Sequence, residues 1–177
     1  VTNYHVIEDA VKDSSVSITV SFHDGSSYPA TLVGGEEDND VAVLKIEASG
    51  LQTVTLGDSD QLKVGQAVMA IGNPLGELTF TFTGGYVSAK DRSVTMSDGT
   101  VMNMLQTDTA INSGNSGGPL FNEYGQVIGI TSGAYRDGNG MYLAVPIDAV
   151  LTADLTGAGQ TLRQVRSVMY VEPVEVP

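Results

Sequence analysis

The chain reads as an all-β protein of the barrel or sandwich type, and three observations predict it. Apolar and polar residues alternate with period 2 in eight short segments. Turn signals, "HDG", "SDG" and "EYG", fall between them at short spacing. The composition agrees: 21 glycines, 7 tyrosines, no tryptophan and a charged fraction of 16% suit a turn-rich β protein better than a helical bundle.

Taken in order, the strand segments are "SVSITVSF", "YPATLVGG", "DVAVLKIE", "QAVMAIGN", "TFTFTGGYVSA", "SVTMSDG", "GQVIGITSG" and "MYLAVPI". Each has β-branched or aromatic residues on alternate positions and a glycine, proline or Asx turn at its border. Only residues 147–157, "IDAVLTADLTG", read as helical, with Asp148 near the start and Gly157 as the stop. Polar turn chemistry in residues 56–65, "LGDSDQLKVG", divides the strands into two sets. The reading is therefore an N-terminal β lobe over 1–60, a second β lobe with the helix over 61–158, and a tail or linker over 159–177. A cleft between two lobes is the natural place for a site.

The 177 residues, 41% of them apolar, suffice for one sizeable core. A formal charge of -13 without any lysine/arginine cluster excludes a nucleic-acid-binding surface. No cysteine is present, which removes disulfides, thiolate metal sites and a cysteine nucleophile. No apolar run reaches the roughly 18 residues of a membrane span, so no membrane contact is expected from this chain. "YRDGNG" lacks the spacing of a calcium loop and no phosphate-binding glycine loop occurs, so neither metal nor cofactor is expected. The chain opens on "VTNYHVIEDA", already patterned, which suggests a fragment of a longer protein.

Two histidines limit any mechanism that needs an imidazole base. His23, in "FHDG", reads as a hairpin-tip residue beside Asp24 and Gly25. His5, in "TNYHVI", has an apolar, strand-like edge on both sides, where a titratable ring requires a partner. Asp40 directly precedes the strand Val41 to Ile46 and is the carboxylate anchored at a strand start; Glu36, Glu37 and Asp38 form a charged loop. "NSGNSGGPL" places Ser116 in a turn where Gly114 can present its amide, Gly117 and Gly118 leave room for a substrate backbone, and Pro119 fixes the exit. Each signal alone has a structural explanation as core histidine, turn aspartate or glycine loop. Their order, with His and Asp in one lobe and Ser in the other, joins them into a nucleophile, base and orienting carboxylate.

These stretches resemble a chymotrypsin-like serine protease of the HtrA (Deg) family. "TNYHVI" resembles its histidine motif, "NDVAVLKI" its aspartate motif and "VGQAVMAIGNPLG" the strand opening its second barrel. "LQTDTAINSGNSGGPLFNEYGQVIGITS" resembles its serine block, and "MYLAVPID" the strand before its closing helix. The resemblance implies a double six-stranded β-barrel with a short C-terminal helix, the first barrel incomplete because family strands ahead of the histidine motif would lie outside this chain, as would a PDZ domain.

It further implies His5 as general base, Asp40 as orienting carboxylate and Ser116 as nucleophile of a serine endopeptidase acting on unfolded or misfolded polypeptides. The oxyanion hole would be formed along Gly114, Asn115 and Ser116. Ala110, Ile111, Ile130, Thr131, Ser132 and Gly133 would bind substrate, and their lack of charge favours Val, Ala, Ile or Leu at P1. Thr131 and Ser132 would pair with the substrate backbone as an added strand. Asn115 stands where digestive relatives carry an aspartate that pairs with a freshly cut N-terminus, so residues 88–94 and 131–140 are expected to switch the site as loops. An extracytoplasmic bacterial location and a homotrimer of the full-length protein are likewise implied. The alternatives are an inactive protease-fold binding or chaperone module and a plain β-barrel ligand binder.

Overall fold

The computed structural model describes residues 1–73, 81–96, 99–112, 114–135 and 140–155. Gly157, Ser113 and the tail over 159–177 lie outside the described residues. The first strands form a three-stranded antiparallel sheet in the order β1 (Ile18–Ser21), β2 (Ser27–Glu36), β3 (Val41–Ile46). The β1–β2 hairpin closes at His23 to Gly25, where Asp24 accepts the Ser26 amide and hydroxyl. Ahead of β1, Thr2 exchanges two backbone hydrogen bonds of 2.9 Å with Ala42 of β3. The first lobe is thus a partial barrel, as the resemblance implied.

After the short β4 (Thr55–Leu56), the second lobe closes on itself. β5 (Ala67–Gly72), β6 (Thr81–Thr95), β7 (Val101–Thr107), β10 (Tyr142–Pro146), β9 (Gln126–Ala134) and β8 (Pro119–Asn122) each run antiparallel to the next, and β8 returns to β5. This is a six-stranded barrel in which each strand pairs with two neighbours, β8 meeting β9 only as far as Ile130. Its interior is filled by Leu62, Val68, Ala70, Val87, Leu105, Leu120, Ile128 and Ala144. β4 adds in parallel to the start of β9.

A second apolar cluster joins the two lobes. Val41 and Val43, from the first sheet, pack with Val94, Met102, Met104 and Leu143 of the barrel and with Ile147, Val150 and Leu151 of α2 (Ile147–Thr152). α2 is held from a distance: Ser59 donates its amide and hydroxyl to the Asp148 carboxylate at 2.7 and 2.6 Å, and its oxygen accepts the Asp148 amide at 3.1 Å. The Leu155 carbonyl then accepts the Gly35 amide of β2 at 3.0 Å, tying the end of the described chain to the first lobe.

Two expectations are corrected. Residues Tyr4–Lys12 form a helix, α1, so His5 lies in a first helical turn and not on a strand edge. The apolar pairs Val6–Ile7 and Ala10–Val11 recur at i, i+3 and i+4, and Glu8 pairs with Lys12 one turn on, a helical pattern compressed into nine residues. Residues 88–94 are not a loop: they continue β6, with register shifts between Val87 and Arg92 where Asp91 takes a positive φ of 49°. Residues 131–134 likewise belong to β9, while 136–139 lie outside the described residues.

Candidate active site

Asp40 sits at a position set by three elements. Its own φ is +51°, in the left-handed region, at the turn that feeds β3; its amide donates to the Glu37 carbonyl at 2.9 Å and its carbonyl accepts the Asn3 side-chain amide at 3.0 Å. The residue is 6% exposed, and its carboxylate is surrounded by donors. Oδ1 accepts the backbone N–H of His5 at 3.0 Å, both oxygens lie 2.9–3.0 Å from His5 Nδ1, and Oδ2 accepts the Ser132 hydroxyl at 3.2 Å. The His5 amide is one of the orphan donors at the start of α1, so one carboxylate both caps the helix and fixes the ring that the helix carries. Asn3, at the N-cap, makes no side-chain cap of its own; its amide goes to Asp40 instead.

With Nδ1 directed at Asp40, the tautomer assigned by this network carries its hydrogen there, and Nε2 is left as the proton acceptor. The His5 pKa is raised above the ordinary 6.5, first by the hydrogen bond to Asp40; burial opposes this, and the charges of Asp40 and Glu8 add to it. The side chain is 47% exposed, so proton exchange with solvent is open.

Ser116 lies in the turn 114–117, in which Gly114 has φ +99° and Gly117 φ +83°. The turn is laced to β9: the Gly117 amide donates to the Thr131 carbonyl at 2.8 Å, the Thr131 amide to the Gly118 carbonyl at 2.9 Å, and the Thr131 hydroxyl to the carbonyls of Asn115 and Gly118. The glycines serve a purpose other than the expected one. A Cβ on Gly117 would meet the Thr2 hydroxyl, and one on Gly118 would lie 2.5 Å from the Ile71 carbonyl and 2.9 Å from that of Asn115. Both positions lie against the protein's own atoms, the Thr2 side chain at Gly117 and two backbone carbonyls at Gly118.

The Ser116 hydroxyl donates to the carbonyl of Ser132 at 2.6 Å, and among the described residues no hydrogen bond joins it to His5. Ser132 is the extra residue of a β-bulge: Thr131 is opposite Ala144 and Gly133 is opposite Leu143, so Ser132 has no partner in β10. The bulge turns its hydroxyl to Asp40 and its carbonyl to Ser116. One residue thereby touches both halves of the expected triad.

Three of the expected site residues are reassigned. The Asn115 amide donates to the Asn112 carbonyl at 3.0 Å, which removes it from an oxyanion hole and leaves the amides of Gly114 and Ser116 as candidates. Thr131 is fully buried with its backbone amide and carbonyl both spent on the serine turn, so it cannot pair with an added strand. Ile130, 6% exposed, packs in the interlobe core. Of the six expected substrate-binding residues, Ser132 and Gly133 line the cleft that His5 and Asp40 face; Ala110, Ile111, Ile130 and Thr131 do not. The role of Thr131 had a signal in the sequence, a β-branched hydroxyl at an apolar position of a strand.

Among the described residues, carboxylates of Asp58, Asp60 and Asp148 come within 4.8 Å of one another and could by proximity hold a cation. Asp58 accepts the amides of Asp60 and Gln61, and Asp148 is engaged by Ser59, so the group already has a structural purpose.

A closed barrel presenting a glycine-flanked serine, with a histidine–carboxylate pair brought to it from a second β lobe, defines the chymotrypsin-like class of fold. The comparisons agree. The family described as trypsin-like peptidase domain matches residues 1–130. A probable periplasmic serine endoprotease DegP-like from Halomonas elongata is 47% identical over 178 residues, covering 98% of this chain and 36% of that protein. One from Chlamydia trachomatis is 48% identical over 149 residues, covering 82% and 28%. Among solved structures, the HtrA-type protease AlgW with decapeptide matches with a TM-score of 0.74 at 39% identity, covering 83% of this chain and 44% of that one. Deg5 matches with a TM-score of 0.70 at 40% identity, covering 84% and 73%. The chain belongs to the trypsin-like peptidase domain family, on its HtrA (DegP-like) branch. It spans about a third of the length of the curated relatives it matches.

Proposed function

We propose that the protein is a serine endopeptidase in which Ser116 is the nucleophile, His5 the general base and Asp40 the orienting carboxylate. The observation that carries this reading is Ser132, whose hydroxyl binds Asp40 and whose carbonyl holds Ser116, so that pair and nucleophile meet at one residue. Attack requires the Ser116 hydroxyl to leave the Ser132 carbonyl and rotate toward His5 Nε2. A substrate strand laid on Ser132 has its own N–H to offer that carbonyl, which frees the serine as it binds.

Ser116 Oγ then forms a bond to the peptide carbonyl carbon while His5 takes its proton, and His5 returns the proton to the departing amine. Water, deprotonated by His5, cleaves the acyl-serine. The amides of Gly114 and Ser116 are the donors for the developing oxyanion, each contributing about 3 kcal/mol in sites of this kind.

The substrates proposed are unfolded or misfolded polypeptides with small or medium aliphatic P1 residues. The periplasm is the proposed compartment, supported by the names of the DegP-like relatives. A homotrimer of the full-length protein belongs to the same reading and is supported by family resemblance. A fluorophosphonate probe is expected to label the chain at Ser116 and to fail on Ser116→Ala. A wild-type chain that stays unlabelled, or labelling that survives Ser116→Ala, would overturn the assignment.

A further inference from the structure

A cleft of about 880 Å³ opens beside His5 and Asp40 and runs along the end of β9 from Ser132 to Ala134 and on to Tyr135. Its composition is two-sided. The floor carries the half-buried Met96 and the exposed Met141, with the buried Met102 and Met104 at its base, and the unbranched thioethers of the two accessible methionines adapt to different guests. One wall carries the carboxylates of Glu8, from α1, and Glu37, from the loop before Asp40. Apart from His5, no described residue lining the cleft is basic.

The two carboxylates differ. Glu8 is engaged by Lys12. The exposed Glu37 side chain makes no hydrogen bond or ion pair among the described residues, and its position is fixed because its carbonyl accepts the Asp40 amide. β8 pairs with β9 only as far as Ile130, so beyond the bulge the edge of β9 opposite β10 has no strand upon it among the described residues. A peptide added there alternates its side chains: with P1 turned toward the barrel, P2 and P4 turn the other way, over the methionine floor and toward α1.

We propose that Glu37 is a specificity-determining residue that selects lysine or arginine at P2 or P4, the aliphatic stem lying on the methionines and the cationic head reaching the carboxylate. Such a side chain matches both surfaces, since its methylene stem is apolar and only its tip is charged. An aliphatic residue there would leave the Glu37 carboxylate with only the more distant charge of Lys12, and an acidic one would be repelled. The inference rests on the peptidase reading for the direction of the bound peptide.

The test is peptide binding to the full chain carrying Ser116→Ala, read by fluorescence anisotropy, so that turnover is not needed. Peptides share valine at P1 and carry Lys, Gln or Glu at P2, with a second set varied at P4. Lysine at one of these positions is expected to bind about threefold to fivefold tighter than glutamine, the range of one exposed ion pair, with glutamate weakest. The preference should vanish with Glu37→Gln, reverse with Glu37→Lys and shrink in 0.5 M salt. Equal affinities for the three peptides, no binding of any, or a lysine preference that survives Glu37→Gln would overturn the proposal. Failure of the peptidase reading shows separately, as absence of fluorophosphonate labelling in the wild-type chain.

Discussion

Replacing Gly118 by alanine tests how the serine turn is held. The new Cβ would lie 2.5 Å from the Ile71 carbonyl of β5 and 2.9 Å from the Asn115 carbonyl, both closer than the 3.0 Å below which real Cβ atoms essentially do not occur. Both obstacles are backbone, so no side chain can swing aside and the turn itself must move. Overpacking of this kind costs about 1–3 kcal/mol. Movement also stretches the Thr131 amide and hydroxyl bonds to the Gly118 carbonyl, 2.9 and 3.1 Å, each worth about 1 kcal/mol. A loss of roughly 2–4 kcal/mol follows, with slower fluorophosphonate labelling because Ser116 travels with the turn. Gly133→Ala is the control: its Cβ meets nothing within 4 Å and its φ is not in the left-handed region, so stability should hold or rise slightly. Urea unfolding of the two variants decides the matter. Equal stability would refute the packing account, and a destabilised Gly118→Ala that labels at the wild-type rate would refute the coupling of the turn to Ser116.

Two further outcomes follow from the site and from its support. His5 binds its proton more tightly folded than unfolded, so its contribution to stability is complete below pH about 6.5 and is lost as pH rises through the raised folded value; an NMR titration should place its midpoint above 6.5, and Asp40→Asn should lower it because the Asp40 hydrogen bond is the largest cause. Ser59→Ala removes a hydroxyl that both donates to and accepts from Asp148 at the start of α2, and should cost about 1–2 kcal/mol in thermal or urea unfolding.

The strands of the barrel were legible because a half-buried strand writes its pleat into the sequence: "QAVMAIGN" and "MYLAVPI" became β5 and β10 within a residue or two. Asp40 was legible as the residue before a strand. α1 was not, since the adjacent pair Val6–Ile7 suits either a strand or a short helix and the carboxylate that caps it lies 35 residues away. The direction of the Ser116 hydroxyl was not legible either. It depends on a bulge between β9 and β10, and a bulge is a mismatch between two strands that neither strand announces alone. Gly117 and Gly118 read as room for a substrate for the same reason: local sequence shows that space is needed and leaves open what fills it.

Val41 and Val43 tie these observations together. The carboxylate that orients His5 is followed at once by residues sealed into the core of the lobe that bears Ser116. The two lobes are therefore not independent folding units joined by a hinge, and the spacing between Asp40 and Ser116 is inherited from a common interior. A chain severed near residue 60 would part Val41 and Val43 from the rest of that interior, and the pieces would regain the site only by recombining.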